Sequence, residues 1–506
     1  MKYNKNSSDS IIAYAKKLKD HTLRELCIDE LKNHDYHGKG KFGQLLEKYY
    51  FEYEPNSLSE PDFPEAGLEL KSSPLKILKN GEFQSKERVV LNIINFMKVH
   101  KEDFKSSSFY KKNAHILFVF FVYIKDVNII DYLIHIVDDW KFPYVDLRII
   151  QQDWERINLK IKEGKAHEIS EGDTFYLGAC TKGSTAERSL RNQPFNDIQA
   201  KQRAYSLKQS YVNHIISILA KDKKVINTFD ADIPRKHFPP LKQHKAKLVQ
   251  KNYHKKNILK TKTAKLAKGL IFERIIKTPE LLDKYISIED LIISKFEPYY
   301  GKNPREIESI FGLSLNRRSK SYYASLTKSM LGIGLDNKIE EFEKADIIVK
   351  TVRLKESNLP KESISFPAFK YEEIVAQEWE DSNFFTILSS KFFFVFYRFE
   401  GNDLIFQKTK FWNMPYKDIE EAKKVWLETR NTITNGKIIK QVLPHKRLTY
   451  FPKSIDNKVS HVRPHATTVN DCYPLPVPDI LTGDIEYSKH SFWLNANYIK
   501  NEIFLK

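Results

Sequence analysis

The chain has 506 residues, 41% of them apolar, which suffices for two domains of ordinary size, each with its own core. Its formal charge of +18, from 83 basic and 65 acidic residues, favours a polyanionic partner such as nucleic acid over a small neutral ligand. Three scattered cysteines (Cys27, Cys180, Cys472) argue against a disulfide framework and a CxxC zinc site and fit a reducing cytoplasm, while the polar start, the short apolar runs and the lack of a GxxxxGK[ST] loop speak against a secretory signal, a membrane span and a P-loop motor.

In chain order, the first half predicts a helix over 45–51 and strands over 67–71, 89–96 and 116–124, all rich in branched and aromatic residues, then helical periodicity around Trp154. The second half repeats the first. Leu23-Arg24-Glu25-Leu26 is echoed by Pro304-Arg305-Glu306-Ile307, and Asp62-Phe63 through Leu68-Glu69-Leu70-Lys71 by Glu341-Phe342 through Ile347-Ile348-Val349-Lys350. Phe118-Val119-Phe120 returns as Phe394-Val395-Phe396. Trp154, Ile161 and Gly164-Lys165 return as Trp426, Ile433 and Gly436-Lys437, and Tyr205-Ser206-Leu207 with Tyr211 as Phe492-Trp493-Leu494 with Tyr498. The expected organisation is one copy over 1–220, a second over 281–506, and between them a lysine-rich linker over 221–280, either touching phosphates or merely solvated. Each copy reads as α/β, a central mixed sheet flanked by helices.

The chemistry sits in Pro61-Asp62-Phe63-Pro64-Glu65-Ala66-Gly67-Leu68-Glu69-Leu70-Lys71. Asp62 falls at the turn into a strand; Glu69 and Lys71, two apart, share one face of it, with Leu68 and Leu70 turned to the core. Two carboxylates and an ammonium suit magnesium-dependent phosphodiester hydrolysis: Asp62 and Glu69, with the Leu70 carbonyl, hold Mg²⁺, and Lys71 orients the attacking water and offsets developing charge. Glu47, in Gly43-Gln44-Leu45-Leu46-Glu47, is a further acid within helical reach. By spacing alone D-x6-E-x-K is permissive and fits an ordinary solvated strand face as well.

Asp62, Glu69 and Lys71 match the PD-(D/E)xK nuclease signature. Together with Gly43–Glu47, Glu65–Lys71, Ser85–Asn95 and Glu163–Gly172, and with Arg191–Pro194 and His461–His465, they make the chain resemble the MutH/Sau family of GATC-directed endonucleases over nearly its whole length. The resemblance implies two tandem restriction-endonuclease-like domains, with Glu47, Asp62, Glu69, Lys71 and, less securely, Lys112 as active-site residues. It implies double-stranded DNA cut before the G of GATC, a companion methyltransferase acting on that sequence, and self-association on DNA. In copy two, Glu341, Ile348 and Thr327 fall near the positions of Asp62, Glu69 and Glu47, so that copy is expected to bind DNA as an effector without cutting it. Arg463 and Pro464 match the family's base-reading loop; arginine suits guanine, although a phosphate contact would also use it. In copy one Lys182 stands in that loop, and Ser206 replaces a tyrosine found near the adenine in the family's repair member. A GATC-nicking repair endonuclease and a non-catalytic DNA-binding protein are the competing readings.

Overall fold

The computed structural model describes residues 2–27, 31, 41–56, 59–182, 189–220, 271–444, 446–468 and 470–506. The lysine-rich linker expected over 221–280 lies outside these residues as far as 270. The chain forms two compact units, one of Met1–His167, Phe175–Glu273 and Asp336–Ala345, the other of Glu168–Thr174, Arg274–Leu335 and Asp346–Lys506.

In the first unit the strand His115–Val122 is apolar along its length and buried from Ile116 onward, as expected of a sheet centre covered on both faces. Strand Glu69–Ile77 pairs parallel to it, Glu69 opposite Ile116 and Lys71 opposite Phe118. Phe83–Ser85 and Ile134–Lys141 complete the four-stranded mixed sheet. A second, antiparallel sheet has the order Val89–Ile93, Arg203–Leu207, Leu177–Thr181. The strand predicted over 89–96 stops at Ile93, because Asn95 caps the helix Phe96–Val99 by accepting from the Met97 amide. The helix predicted over 45–51 divides into an α-helical turn, Lys41–Leu45, and a π-helical turn, Leu46–Tyr50.

The second unit repeats this plan. Ile348–Leu354 pairs parallel with Phe392–Glu400, Ile348 opposite Phe392 and Lys350 opposite Phe394. Glu69/Lys71 and Ile348/Lys350 therefore hold the same register against the same Phe-Val-Phe strand. A three-stranded antiparallel sheet again follows, Ile364–Phe369, His490–Leu494, Ser460–Pro464. Each unit has a 19-residue helix, Tyr144–Lys162 or Tyr416–Thr434, entered from a proline and burying Trp154 or Trp426. Asp146 accepts from the Tyr211 hydroxyl at 2.9 Å in one, and Asp418 from Tyr498 at 2.9 Å in the other.

One segment departs from the repeat. Residues Asp336–Ala345, which the echo assigns to copy two, belong to the first unit. Their helix Glu340–Ala345 buries Lys344 against Asp146, with Nζ 2.9 Å from Oδ2 and both side chains 3% exposed, and 2.7 Å from Glu340. Ser210 donates to the Lys344 carbonyl at 2.8 Å. Glu341, expected to stand for Asp62 at the strand entry of the second copy, is instead 3% exposed within this helix of the first unit.

Candidate active site

The approach to the strand Glu69–Ile77 is a closed loop. Phe63 and Leu68 exchange backbone hydrogen bonds of 3.0 and 3.2 Å around the turn Pro64–Ala66, and Gly67 supplies the left-handed residue (φ 60°) the closure requires. Asp62 is thereby set beside Glu69. The Asp62 amide donates to Glu69 Oε2 at 3.1 Å, and the Leu70 amide donates to Asp62 Oδ2 at 3.0 Å. Backbone amides of the two segments thus help orient both carboxylates. Leu68 and Leu70 are buried, as the alternation predicts.

Lys71 Nζ donates to Glu69 Oε1 at 2.5 Å. Lys112, from the helix Ser108–Asn113, has its Nζ 3.7 Å from the same oxygen and donates to the Glu60 carbonyl at 2.9 Å. It is 8% exposed, so it is no surface lysine. Gly43 lets the turn Lys41–Leu45 lie against the strand: a Cβ there would stand 3.1 Å from Ser72 Oγ and 3.9 Å from Glu47 Oε1. Glu47 lies within reach of the charges of Asp62, Lys71, Glu69 and Lys112.

Burial raises the Glu69 carboxyl to about 7, Lys71 opposing, Asp62 adding and Lys112 opposing. Burial likewise raises Glu47 to about 7, with Asp62 adding and Lys71 opposing. A cation nearby would favour the ionised form of both acids. Among the described residues no three His, Cys, Asp or Glu side chains form a ready metal cage. The Asp62–Glu69 pair still fits magnesium, which is held by one or two carboxylates and keeps water and phosphate oxygens as its other ligands.

The four residues expected to touch DNA fare differently. Lys182 follows strand Leu177–Thr181, half-buried, its amide donating to the Gln202 carbonyl at 2.7 Å. Ser206, expected on the DNA-binding side from the resemblance, is 0% exposed in the DNA-free chain, inside a strand paired on both sides. Arg463 and Pro464 are exposed at the end of their strand, the Arg463 guanidinium 5.0 Å from the Trp493 ring centre. Arg463 also lines a cavity of about 600 Å³ in the second unit with Lys417, Lys453, Lys458 and His461, and with Asp418 and Tyr498. This basic cavity was not legible beforehand, because Lys417 at the start of a helix meets Lys453 and Lys458 from a loop more than thirty residues further on.

The second unit has lost the acid of the pair. Ile348 occupies the Glu69 register, and Thr327 is buried in a helix with its hydroxyl on the Tyr323 carbonyl. Counted from the capping serines Ser107 and Ser382, Lys112 falls opposite Ile387. Only Lys350 remains, and burial alone lowers its ammonium pKa.

The sequence-family model for the DNA mismatch repair enzyme MutH matches residues 51–153, which include Asp62, Glu69, Lys71 and Lys112. The chain is also 36% identical over 504 residues to the type II restriction enzyme Sau3AI of Staphylococcus aureus, covering 92% of each sequence. With a MutH-like unit carrying the paired carboxylates, a register-matched second unit lacking them, and this full-length similarity, the chain belongs to the MutH-like type II restriction endonucleases.

Proposed function

We propose that this restriction endonuclease hydrolyses both strands of DNA at GATC, before the G, using Mg²⁺ at Asp62 and Glu69, and that its second half binds another GATC as an effector. The observation that carries the proposal is the mutual latch of Asp62 and Glu69, with Lys71 and Lys112 converging on Glu69 Oε1.

The cation would draw charge from the phosphoryl oxygens and acidify a water. Asp62 and Glu69 would hold it, helped by the Leu70 carbonyl. Lys71, which is paired with Glu69 in the free protein, would turn to orient the attacking water and to meet the charge growing on the scissile phosphate. Lys112 would remain as the second ammonium beside Glu69 and the phosphate. Glu47, with its carboxyl near 7, is suited to accept the proton that the water sheds.

The proposed organisation is a catalytic copy over 1–220, a lysine-rich linker over 221–280 and an effector copy over 281–506. Lys182 in the first copy and Arg463 and Pro464 in the second would approach the duplex. The net charge of +18 and the lysine-lined cavity beside Arg463 support a polyanion there. Two chains meeting on DNA, or one chain bridging two sites, would supply the second cut of a palindrome. The setting would be the cytoplasm, where a methyltransferase of the same specificity protects the host sites.

The test is digestion of a sequenced plasmid with and without Mg²⁺, with mapping of the ends, beside D62A. Magnesium-dependent double-strand ends before GATC, absent in D62A, are expected. Nicks alone would favour a repair-type enzyme, and cleavage by D62A at the parental rate would overturn the proposal.

A further inference from the structure

The π-helical turn Leu46–Tyr50 leads into Glu52, whose left-handed backbone (φ 59°) reverses the chain. The next residue, Tyr53, is brought back over the start of that turn, its amide donating to the Glu47 carbonyl at 3.1 Å. Its ring packs edge-on against Phe63, centroids 5.3 Å apart at 77°. Tyr53 is therefore tied through its backbone to one carboxylate residue of the site and through its ring to the neighbour of another, Asp62.

The Tyr53 hydroxyl is buried and makes no hydrogen bond. Buried polar atoms without partners are uncommon in native proteins and call for an explanation. Of the unpartnered tyrosine hydroxyls among the described residues, this is the one on which Asp62, Glu47 and Glu69 all act. Burial first, and those three negative groups after it, hold the phenol far above its ordinary pKa, so it stays a proton donor. Asp62 bears on it most strongly of the three, and only Oδ2 of Asp62 is engaged by the Leu70 amide.

We propose that Tyr53 is a positioning residue of the cleavage site, its hydroxyl donating to the Asp62 carboxylate when the site is loaded and fixing how that carboxylate meets the cation. The inference rests on the reading of Asp62 and Glu69 as the cation site. A phenol donor is suited to this place because it orients a carboxylate without neutralising it, as a lysine would.

The test compares the full-length parent, Y53F and D62A. Calcium binding is titrated calorimetrically on the complex with a GATC duplex. The magnesium concentration for half-maximal cleavage is measured beside it, with duplex affinity in EDTA and the melting temperature without divalent ions. For Y53F we expect calcium affinity to weaken, and the magnesium midpoint to rise, about tenfold, the worth of one hydrogen bond to a charged group. Duplex affinity should stay unchanged, and the melting temperature should hold or rise, because a buried unpartnered hydroxyl has been removed. Parental calcium affinity and magnesium midpoint in Y53F would overturn the role, as would a lowered melting temperature with normal calcium binding, the mark of a merely structural hydroxyl. Equal calcium binding by the parent and D62A would instead overturn the cation site itself, a failure readable without Y53F.

Discussion

Strands Glu69–Ile77 and Ile348–Leu354 are a matched pair, laid in one register on the same Phe-Val-Phe neighbour, yet only the first is surrounded by chemistry. Lys71 is paired with Glu69 and shares it with Lys112, whereas Lys350 is half-buried and moved only by desolvation. The difference teaches that a nuclease scaffold keeps its sheet and core after its acids are gone, because the branched and aromatic strand residues fix the fold independently of the polar face. The segment that the repeat sets opposite Asp62 is placed differently: residues Asp336–Ala345 belong to the first unit, with Glu341 inside the helix Glu340–Ala345. The second copy thus differs from the first by Ile348, Thr327 and Ile387 in the places of Glu69, Glu47 and Lys112, together with a rerouted segment.

The comparison can be broken hardest at the acids. E69A should lower the cleavage rate by on the order of 10³ or more while retaining DNA binding, measured as single-turnover cleavage beside band-shift affinity. The next effect concerns stability. Lys344 and Asp146 form a buried ion pair, and K344A, which strands Asp146, should cost about 3–5 kcal/mol in urea unfolding. D418N at the matching Asp–Tyr pair of the second unit, which opens on a cavity, should cost about 1 kcal/mol or less, since asparagine can still accept from Tyr498. Equal losses would show that the two pairs are not differently used.

A smaller effect follows from charge. Glu47 and Glu69 are raised from 4.5 to about 7 in the folded, metal-free chain. Their protonated forms favour the fold fully below pH 4.5, and that contribution is lost as pH rises to about 7. The metal-free protein should therefore melt at a lower temperature at pH 8 than at pH 5 in this respect. Cation affinity should move oppositely, improving up to about tenfold per pH unit below 7 for each proton displaced. E47Q should flatten both profiles. The smallest effect is a null: I348E should restore no second cutting centre, because Ile387 takes the place of Lys112 and Glu341, the counterpart of Asp62, is buried in a helix of the first unit. A variant whose first unit is disabled by D62A would reveal any restored cleavage.

Much of this was legible in the sequence because it depends on local periodicity. The alternation Leu68-Glu69-Leu70-Lys71 fixed which side chains share a face, and the repeated Phe-Val-Phe marked the two strands as counterparts, while their register emerges only in the folded chain. The π-helical turn was not legible, since Leu46–Tyr50 carries the pattern of an ordinary helix. The burial of Ser206 depends on strands on either side of it, and the placement of Glu341 depends on a segment that leaves its own repeat; neither leaves a short-range signal. Lys112 was readable as a lysine near the site, but its approach to Glu69 is set by pairing between strands far apart in the chain.

The most direct measurement substitutes the lysine that both strands carry at the same register. Single-turnover cleavage of a GATC plasmid, with GATC oligonucleotide supplied in excess, is compared for K71A and K350A. Loss of the chemical step in K71A with a parental rate in K350A is predicted; a comparable loss in K350A, or cleavage by K71A at the parental rate, would contradict a single cutting centre in the first unit.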